Sequence, residues 1–275
     1  CASVFVLGVS AFYLLRGKHV GFAKRSMTVA SAFGLAASLS VVVLGDQSGY
    51  TLTDNQKMKL AAIEAMWNTE PAPAGLTAIG FPSLEDRTTH NEIKIPYVLG
   101  LISTRSLTGE VEGILQLVAV AHDRIESGVI AYDALETIKA DPVDATARGT
   151  FEAHRRDLGY GLLLKKYTPA VVDATEEQIR LAALDTIPHV GTMFWSFRAM
   201  VASGFLMLLL FILAAWASVK RNAENKPWLL KFALFSLPLP WIAAQTGWIV
   251  AEHGRQPWSI AEVLPVHLSA SSLSA

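Results

Sequence analysis

Ala199-Met-Val-Ala-Ser-Gly-Phe-Leu-Met-Leu-Leu-Leu-Phe-Ile-Leu-Ala-Ala-Trp-Ala-Ser-Val219 is a run of 21 residues without a charge. A bilayer core of about 30 Å is crossed by about 20 apolar residues at a rise of about 1.5 Å each. The run is long enough to span a membrane and too long for an ordinary buried helix. Two other stretches have the same character: Met27–Gly45, with 19 uncharged residues, and Phe232–Ala251, with 20. Ala2–Leu15 has the composition of a shortened span. Four spans set the expected fold class: an all-α, polytopic membrane helical bundle with a large extracytoplasmic helical loop.

The whole chain agrees with that reading. Of 275 residues, 52% are hydrophobic and only 17% charged, with mean hydropathy +0.36. Soluble domains carry about 25% charge. The net charge of −1 conceals a split. Between Asp46 and Val190 there are 13 Lys/Arg against 21 Asp/Glu, a balance of −8, and the rest of the chain has 10 against 3. No basic stripe interleaved with aromatics occurs, so nucleic acid is not an expected partner. The single cysteine, Cys1, excludes an internal disulfide and a cysteine-based metal cluster. The chain opens without Met inside an apolar run and closes without a terminating feature, which leads us to expect an internal piece of a longer protein.

Short-loop cations orient the spans. Arg16, Lys18, Lys24 and Arg25 lie between the first two, and Lys220, Arg221 and Lys226, opposed by Glu224, between the last two. Lys and Arg collect on the cytoplasmic side, so both loops are expected there. The expected layout is a shortened span at 1–15, spans at 27–45, 191–219 and 227–252, an extracytoplasmic segment at 46–190, and an outer loop with the start of a further segment at 253–275. Within 46–190 the pattern is mostly helical. Thr53-Asp-Asn-Gln56 reads as a capping box, with Leu60, Ile63 and Trp67 following at helical spacing. Pro71 and Pro73 are expected to end that helix, and an irregular stretch to run to about Pro96. Ile114–Lys139 is a long amphipathic helix. Thr175-Glu-Glu-Gln178 is a second capping box, opening a helix that Pro188 stops. No repeat or low-complexity tract is present.

Ionisable groups at membrane spans are candidate sites in their own right. Glu252 closes the last span four residues after Trp248, on the same helix face. The pair is either an interfacial acid beside a belt tryptophan or part of a site. Gly254-Arg255-Gln256-Pro257-Trp258 adds a sharp helix exit, a fixed cation and a second indole, a set suited to a large, planar, anionic cofactor. Arg198 and Met200 lie in the third span. Met200 is open between gap-filling packing and a soft thioether ligand for haem iron. None of the seven histidines lies inside a span; His189 precedes the third and His253 follows the fourth. Lys59 and Glu64, five residues apart, would point about 140° from each other on a regular helix. They are either two solvated side chains or a pair that brackets a ligand. A phosphate loop, a His-Glu-x-x-His zinc motif and a nucleophile elbow are all missing.

Gly45-Asp-Gln-Ser-Gly-Tyr50, Lys59-Leu-Ala-Ala-Ile-Glu64, Asp157-Leu-Gly-Tyr-Gly-Leu162 and Gly247-Trp-x-x-Ala-Glu-x-Gly-Arg-Gln-Pro-Trp258 resemble subunit I of the cytochrome bd quinol oxidases, in the same order along the whole of 1–275. Residues 46–190 are similar to the long form of that family's quinol loop. The resemblance implies a quinol oxidase of the bacterial inner membrane, which oxidises ubiquinol or menaquinol outside, reduces O2 to water and generates proton-motive force. It implies Lys59 and Glu64 as the quinol pair, with Glu64 catalytic. Met200 is implied as ligand of a low-spin haem b with Arg198 near it, and Glu252 as ligand of a high-spin haem b. Trp248 is placed between haem groups and Arg255 at their propionates. The family's histidine opposite Met200 falls before Cys1, and so do the haem d histidine and the proton-channel acids. A second subunit, a small single-helix subunit and the lipid bilayer are the implied partners, and this stretch alone is not expected to be active. The rival reading is a membrane sensor or transporter component with an extracytoplasmic helical domain, which leaves Glu252–Trp258 unexplained.

Overall fold

The computed structural model describes residues 1–106 and 108–269, apart from the side chain of Asp54. Residues 270–275, the close of the expected 253–275 tail, lie outside the described residues. The chain divides into two compact units, Cys1–Thr51 with Trp195–Val250, and Leu52–Phe194 with Ala251–Ala275.

The first unit draws on α1 (Ala2–Leu15), α2 (Val20–Asn55), α9 (Val190–Val219), α10 (Pro227–Phe235) and α11 (Leu239–His253). Among the described residues, three segments are long and apolar enough to cross a membrane: Val20–Thr53, Val190–Val219 and Pro227–His253. Along α1 the buried residues Val4, Leu7, Ala11 and Leu14 recur at helical spacing, and their stripe joins a core with Met27, Leu210 and Leu229. The outer faces are just as apolar; Phe22 is 74% exposed. Inside lipid no hydrophobic drive separates helix contacts from lipid contacts, so close packing has to hold the helices together. Glycine supplies it. A Cβ on Gly34 would stand 2.2 Å from the Phe211 ring, and one on Gly8 2.6 Å from Leu237.

The expected single span at 227–252 is two helices. Around Pro238 and Pro240 the ladder breaks, since proline has no N–H to donate. Ser236, buried at the break, donates its hydroxyl to the Phe232 carbonyl at 2.7 Å, and Leu237 lodges against Gly8. At one end of the unit Lys24 meets Glu224 at 2.5 Å, which places the two basic loops on the same side.

The second unit is organised by α5 (Ile114–Ala140), within a residue of its expected bounds. Around it stand α3 (Lys57–Ile63), α6 (Ala145–His154), α7 (Leu158–Leu163) and α8 (Glu176–Leu184), while α4 (Val98–Ser103) packs through Leu99 with Met66, Ala74 and Val111. The Thr175 capping box is present, with Gln178 Oε1 accepting from the Thr175 amide at 2.9 Å. The helix it opens ends at Leu184, four residues short of Pro188. Backbone contact fixes α7 on α5: a Cβ on Gly128 would be 2.4 Å from the Asp157 carbonyl and from the Gly161 amide.

Three local expectations are corrected. Thr53 does not cap a helix. The α2 helix runs through it to Asn55, α3 starts after Gln56 without a side-chain cap, and the Thr53 hydroxyl donates instead to the Ser103 carbonyl at 2.8 Å. The α3 helix also stops well before Pro71, at Ile63, because Ala65 turns left-handed at φ +50°. The expected irregular stretch to Pro96 contains an antiparallel hairpin, β1 (Leu76–Ser83) and β2 (Thr88–Ile95), in register from Leu76↔Ile95 to Ser83↔Thr88. Two bulges interrupt its alternation, which is why the period-2 signal was hidden. A second small sheet pairs β3 (Trp258–Ile260) with β4 (Leu264–Pro265), before the short α12 (Val266–Ser269).

The hairpin focuses proteolysis. Its turn, 84–87, is exposed and ends at Arg87 with φ +52°, whereas Lys94 in β2 is held by Glu70 and Glu92. Brief trypsin treatment of the detergent-solubilised protein should cut first after Arg87, read by mass spectrometry of the fragments. First cleavage after Lys94 would mean that the strands are open.

Candidate functional site

The end of α11 makes the first wall of a cleft. Glu252, half-buried, forms an ion pair with the Arg255 guanidinium one turn later. The chain then turns sharply, with the Trp258 amide donating to the Arg255 carbonyl at 2.9 Å and the Val266 amide to the Pro257 carbonyl at 2.8 Å. Lys59 reaches this turn from α3. It is 9% exposed, and its Nζ donates to the carbonyl of Ala251 at 3.4 Å. Burial lowers its proton affinity below the ordinary lysine value, and the Arg255 charge adds to that lowering while the Glu252 carboxylate opposes it. The cleft has a volume of about 480 Å³, and Gln56, Lys59, Arg124, Tyr160, Arg255 and Glu262 line it.

The opposite wall is a charged network that sequence reading did not assign. Arg124 on α5 donates from Nε to Asp157 Oδ1 at 2.7 Å and from Nη1 to Glu262 at 2.9 Å, and its guanidinium stacks 4.1 Å from the Tyr160 ring centroid. Ser127, one turn along, donates to the other Asp157 oxygen at 2.8 Å. The Tyr160 hydroxyl donates to Glu262 at 3.3 Å, and its ring meets Trp258 at 5.0 Å. Gly159 is needed here, since a Cβ would stand 2.0 Å from the Glu262 carbonyl. One signal was readable. Two glycines in the six-residue helix Leu158–Leu163 each cost about 1 kcal/mol against alanine, which argues for close backbone approach. Arg124 and Glu262 carried no such mark.

The other expected site residues fall elsewhere. Glu64 is the C-terminal cap residue of α3, 3% exposed, and lines a separate cleft of about 260 Å³ with Trp67, Thr69 and Glu92. The helix ends between Lys59 and Glu64, so the two side chains serve different clefts. Met200 on α9 is half-buried and faces Gly247 on α11, where a Cβ would stand 3.0 Å from the sulfur. Arg198, also half-buried, has its guanidinium 5.6 Å from the Phe197 ring centroid. Trp248 is 62% exposed. The Met200 thioether is a soft donor and the Glu252 carboxylate an anionic one, both of kinds that iron accepts.

Long apolar helices packed through glycine, joined to a largely helical unit with a charged cleft, define an integral membrane protein. The chain belongs to the cytochrome bd terminal oxidase subunit I family, which matches residues 1–275. The cytochrome character of that family implies haem. The chain is similar to the cytochrome bd-II ubiquinol oxidase subunit 1 of Escherichia coli (strain K12), 38% identical over 272 residues, which cover 99% of this chain and 53% of that protein. It is also similar to the cytochrome bd ubiquinol oxidase subunit 1 of Bacillus subtilis (strain 168), 30% identical over 267 residues, or 97% of this chain and 45% of that protein. A putative cytochrome bd menaquinol oxidase subunit I of the same bacterium is 38% identical over 69 residues, a quarter of this chain and 16% of that protein. The chain spans about half the length of the first two relatives.

The cleft wall has a pH signature. Burial pushes the Tyr160 phenol up to about 12; the Arg124 charge opposes the rise and Glu262 adds to it. A raised value means that the fold favours the protonated phenol. The stability this gives is complete below pH 10 and is lost as pH climbs through 12. Absorbance titration at the tyrosinate band, wild type minus Tyr160→Phe, should place this ionisation near pH 12. Ionisation at the free-phenol value would dissolve the assigned wall.

Proposed function

We propose that this chain forms part of the large subunit of a bd-type quinol:oxygen oxidoreductase of the bacterial inner membrane, with residues 46–190 on the outer side. One observation carries the reading: the Lys59 ammonium lies against the carbonyl of Ala251, the residue before Glu252. The lysine suited to a quinol oxygen is thereby next to the carboxylate suited to haem iron.

The substrate is ubiquinol or menaquinol, with O2 as oxidant. Lys59, an ammonium strained by burial, gains by donating to a quinol oxygen. Glu64 accepts the hydroxyl proton as electrons leave, acting from the other side of the last turn of α3. Glu64 lines a cleft of its own, which gives the proton it takes a path separate from the Lys59 cleft. Met200 offers its thioether to a low-spin haem b, and Arg198 on the same helix supplies a cation close by. Glu252 offers its carboxylate to a high-spin haem b, and Trp248, a turn earlier, presents a flat indole. Arg255 neutralises Glu252 and is long enough to serve a propionate as well. Haems of b and d type, when bound, supply one-electron transfer and the reduction of O2 to water. Protons for water formation come from the inner side, so charge is separated without a pump. Subunit II and a small single-helix subunit complete the assembly.

Two substitutions in the assembled oxidase test these roles. Glu64→Ala should slow quinol oxidation by about 10²-fold, the scale of a lost general base, with haem content unchanged. Loss of haem from that variant would make Glu64 structural. Glu252→Gln keeps size and hydrogen bonding but removes the charge, so the reduced-minus-oxidised spectrum should lose high-spin haem b while quinol still reduces the low-spin centre. A wild-type spectrum with normal turnover would remove Glu252 from the iron.

A further inference from the structure

In the membrane-spanning unit a basic notch of about 570 Å³ opens where α2 begins and α9 ends, lined by Gly21, Lys24, Arg25, Thr28, Ser218 and Arg221. The two loops at this end carry Arg16, Lys18, Lys24, Arg25, Lys220, Arg221 and Lys226 against one acid, Glu224. That acid is already neutralised by Lys24 at 2.5 Å. Among the described residues, the guanidinium groups of Arg25 and Arg221 have no ion-pair partner, and the Ser218 hydroxyl is shut off from water with no hydrogen-bond partner. Two free forks line a space that holds no acid of its own. Such a donor set matches phosphate oxygens, to which arginine binds bidentately.

What surrounds the notch selects the kind of phosphate. Phe22 and Val219, beside the lining residues Gly21 and Ser218, are 74% and 79% exposed. From Arg25 a second, almost wholly apolar groove of about 450 Å³ extends along Val6, Val29, Ala30 and Phe33. Arg25 therefore stands between a polar pocket and a hydrocarbon-lined channel. A free phosphate would use only the first, whereas an amphiphile uses both. We propose that this notch and groove together bind an anionic phospholipid, headgroup phosphate on Arg25 and Arg221 and acyl chain along α1 and α2. The proposal rests on reading this unit as membrane-spanning, and is independent of quinol oxidation.

Native mass spectrometry of the assembled oxidase, titrated with dioleoylphosphatidylglycerol, dioleoylphosphatidylcholine or inorganic phosphate, tests it. The phosphatidylglycerol should bind preferentially, and millimolar inorganic phosphate should not displace it. Arg25→Gln and Arg221→Gln should each weaken it by about fivefold, the contribution of one cation at a membrane surface. Arg25→Lys should retain most of the binding. Arg16→Gln, at the same end but stacked on Phe12, should change it by less than about twofold. Equal loss on Arg16→Gln would mean diffuse surface charge and overturn the site. So would equal binding of phosphatidylcholine, and full displacement by inorganic phosphate would leave only an anion pocket. Unchanged haem spectra in these variants would separate failure here from failure of the oxidase reading.

Discussion

Peptide groups in hydrocarbon have no water to turn to, and each must be satisfied within its own helix or by a close neighbour. That constraint shapes the first unit more than any side-chain preference. It makes α2 and α9 long and unbroken, and it governs how the one break is handled. Where Pro238 and Pro240 interrupt the segment 227–253, the Leu234 carbonyl accepts from the Leu237 amide at 3.4 Å and the Ser236 carbonyl from the Leu239 amide at 3.1 Å, while Leu237 fills the notch left by Gly8. Gly8 and Gly34 are accordingly contact residues. Substituting either would push apart helices that lack a hydrophobic drive to return.

The second unit obeys a different rule, because water is at hand and charge can be used. Arg124 holds two carboxylates from distant parts of the sequence, Asp157 and Glu262, and covers the Tyr160 ring. Half-exposed ion pairs contribute little singly, so the value of this network lies in position. It seats the segment after α11 against α5 and α7, and on that same segment Arg255 balances Glu252. The chemistry proposed at Lys59 and Glu252 thus depends on a scaffold that touches no substrate.

How much of this could be read in advance divides along physical lines. Charge-free runs report helices directly: α1, α9 and α5 were legible to within a residue or so, whereas α2 begins at Val20 and runs to Asn55, well beyond the uncharged stretch 27–45. The Thr175 capping box was legible because both partners lie within one turn. The same four-residue logic failed at Thr53, where a helix already under way continued through the motif and the hydroxyl found Ser103, fifty residues on. The hairpin at 76–95 was hidden because bulges broke its alternation and Pro and Gly punctuation resembled an irregular loop. Of the residues proposed to act, Glu252, Arg255 and Trp248 were marked by their place at the end of a span, and Lys59 and Glu64 by the family pattern. Arg124 and Glu262 could not be marked, since nothing local distinguishes an arginine on an amphipathic helix from one that bridges 138 residues of sequence to a partner.

Trp258 belongs to the core of the second unit, packed with Ile125, Leu163 and Val171, yet it follows the last span. The hydrophobic centre of that unit is therefore incomplete while its own contiguous segment is being made. Two membrane crossings must be synthesised and inserted first. At about 5–20 residues per second, roughly 60 further residues take some seconds, during which the pocket for Trp258 stands open. Folding of the second unit is in this way timed by insertion, and a chain stalled before the crossing at 227–253 would present an unsealed core.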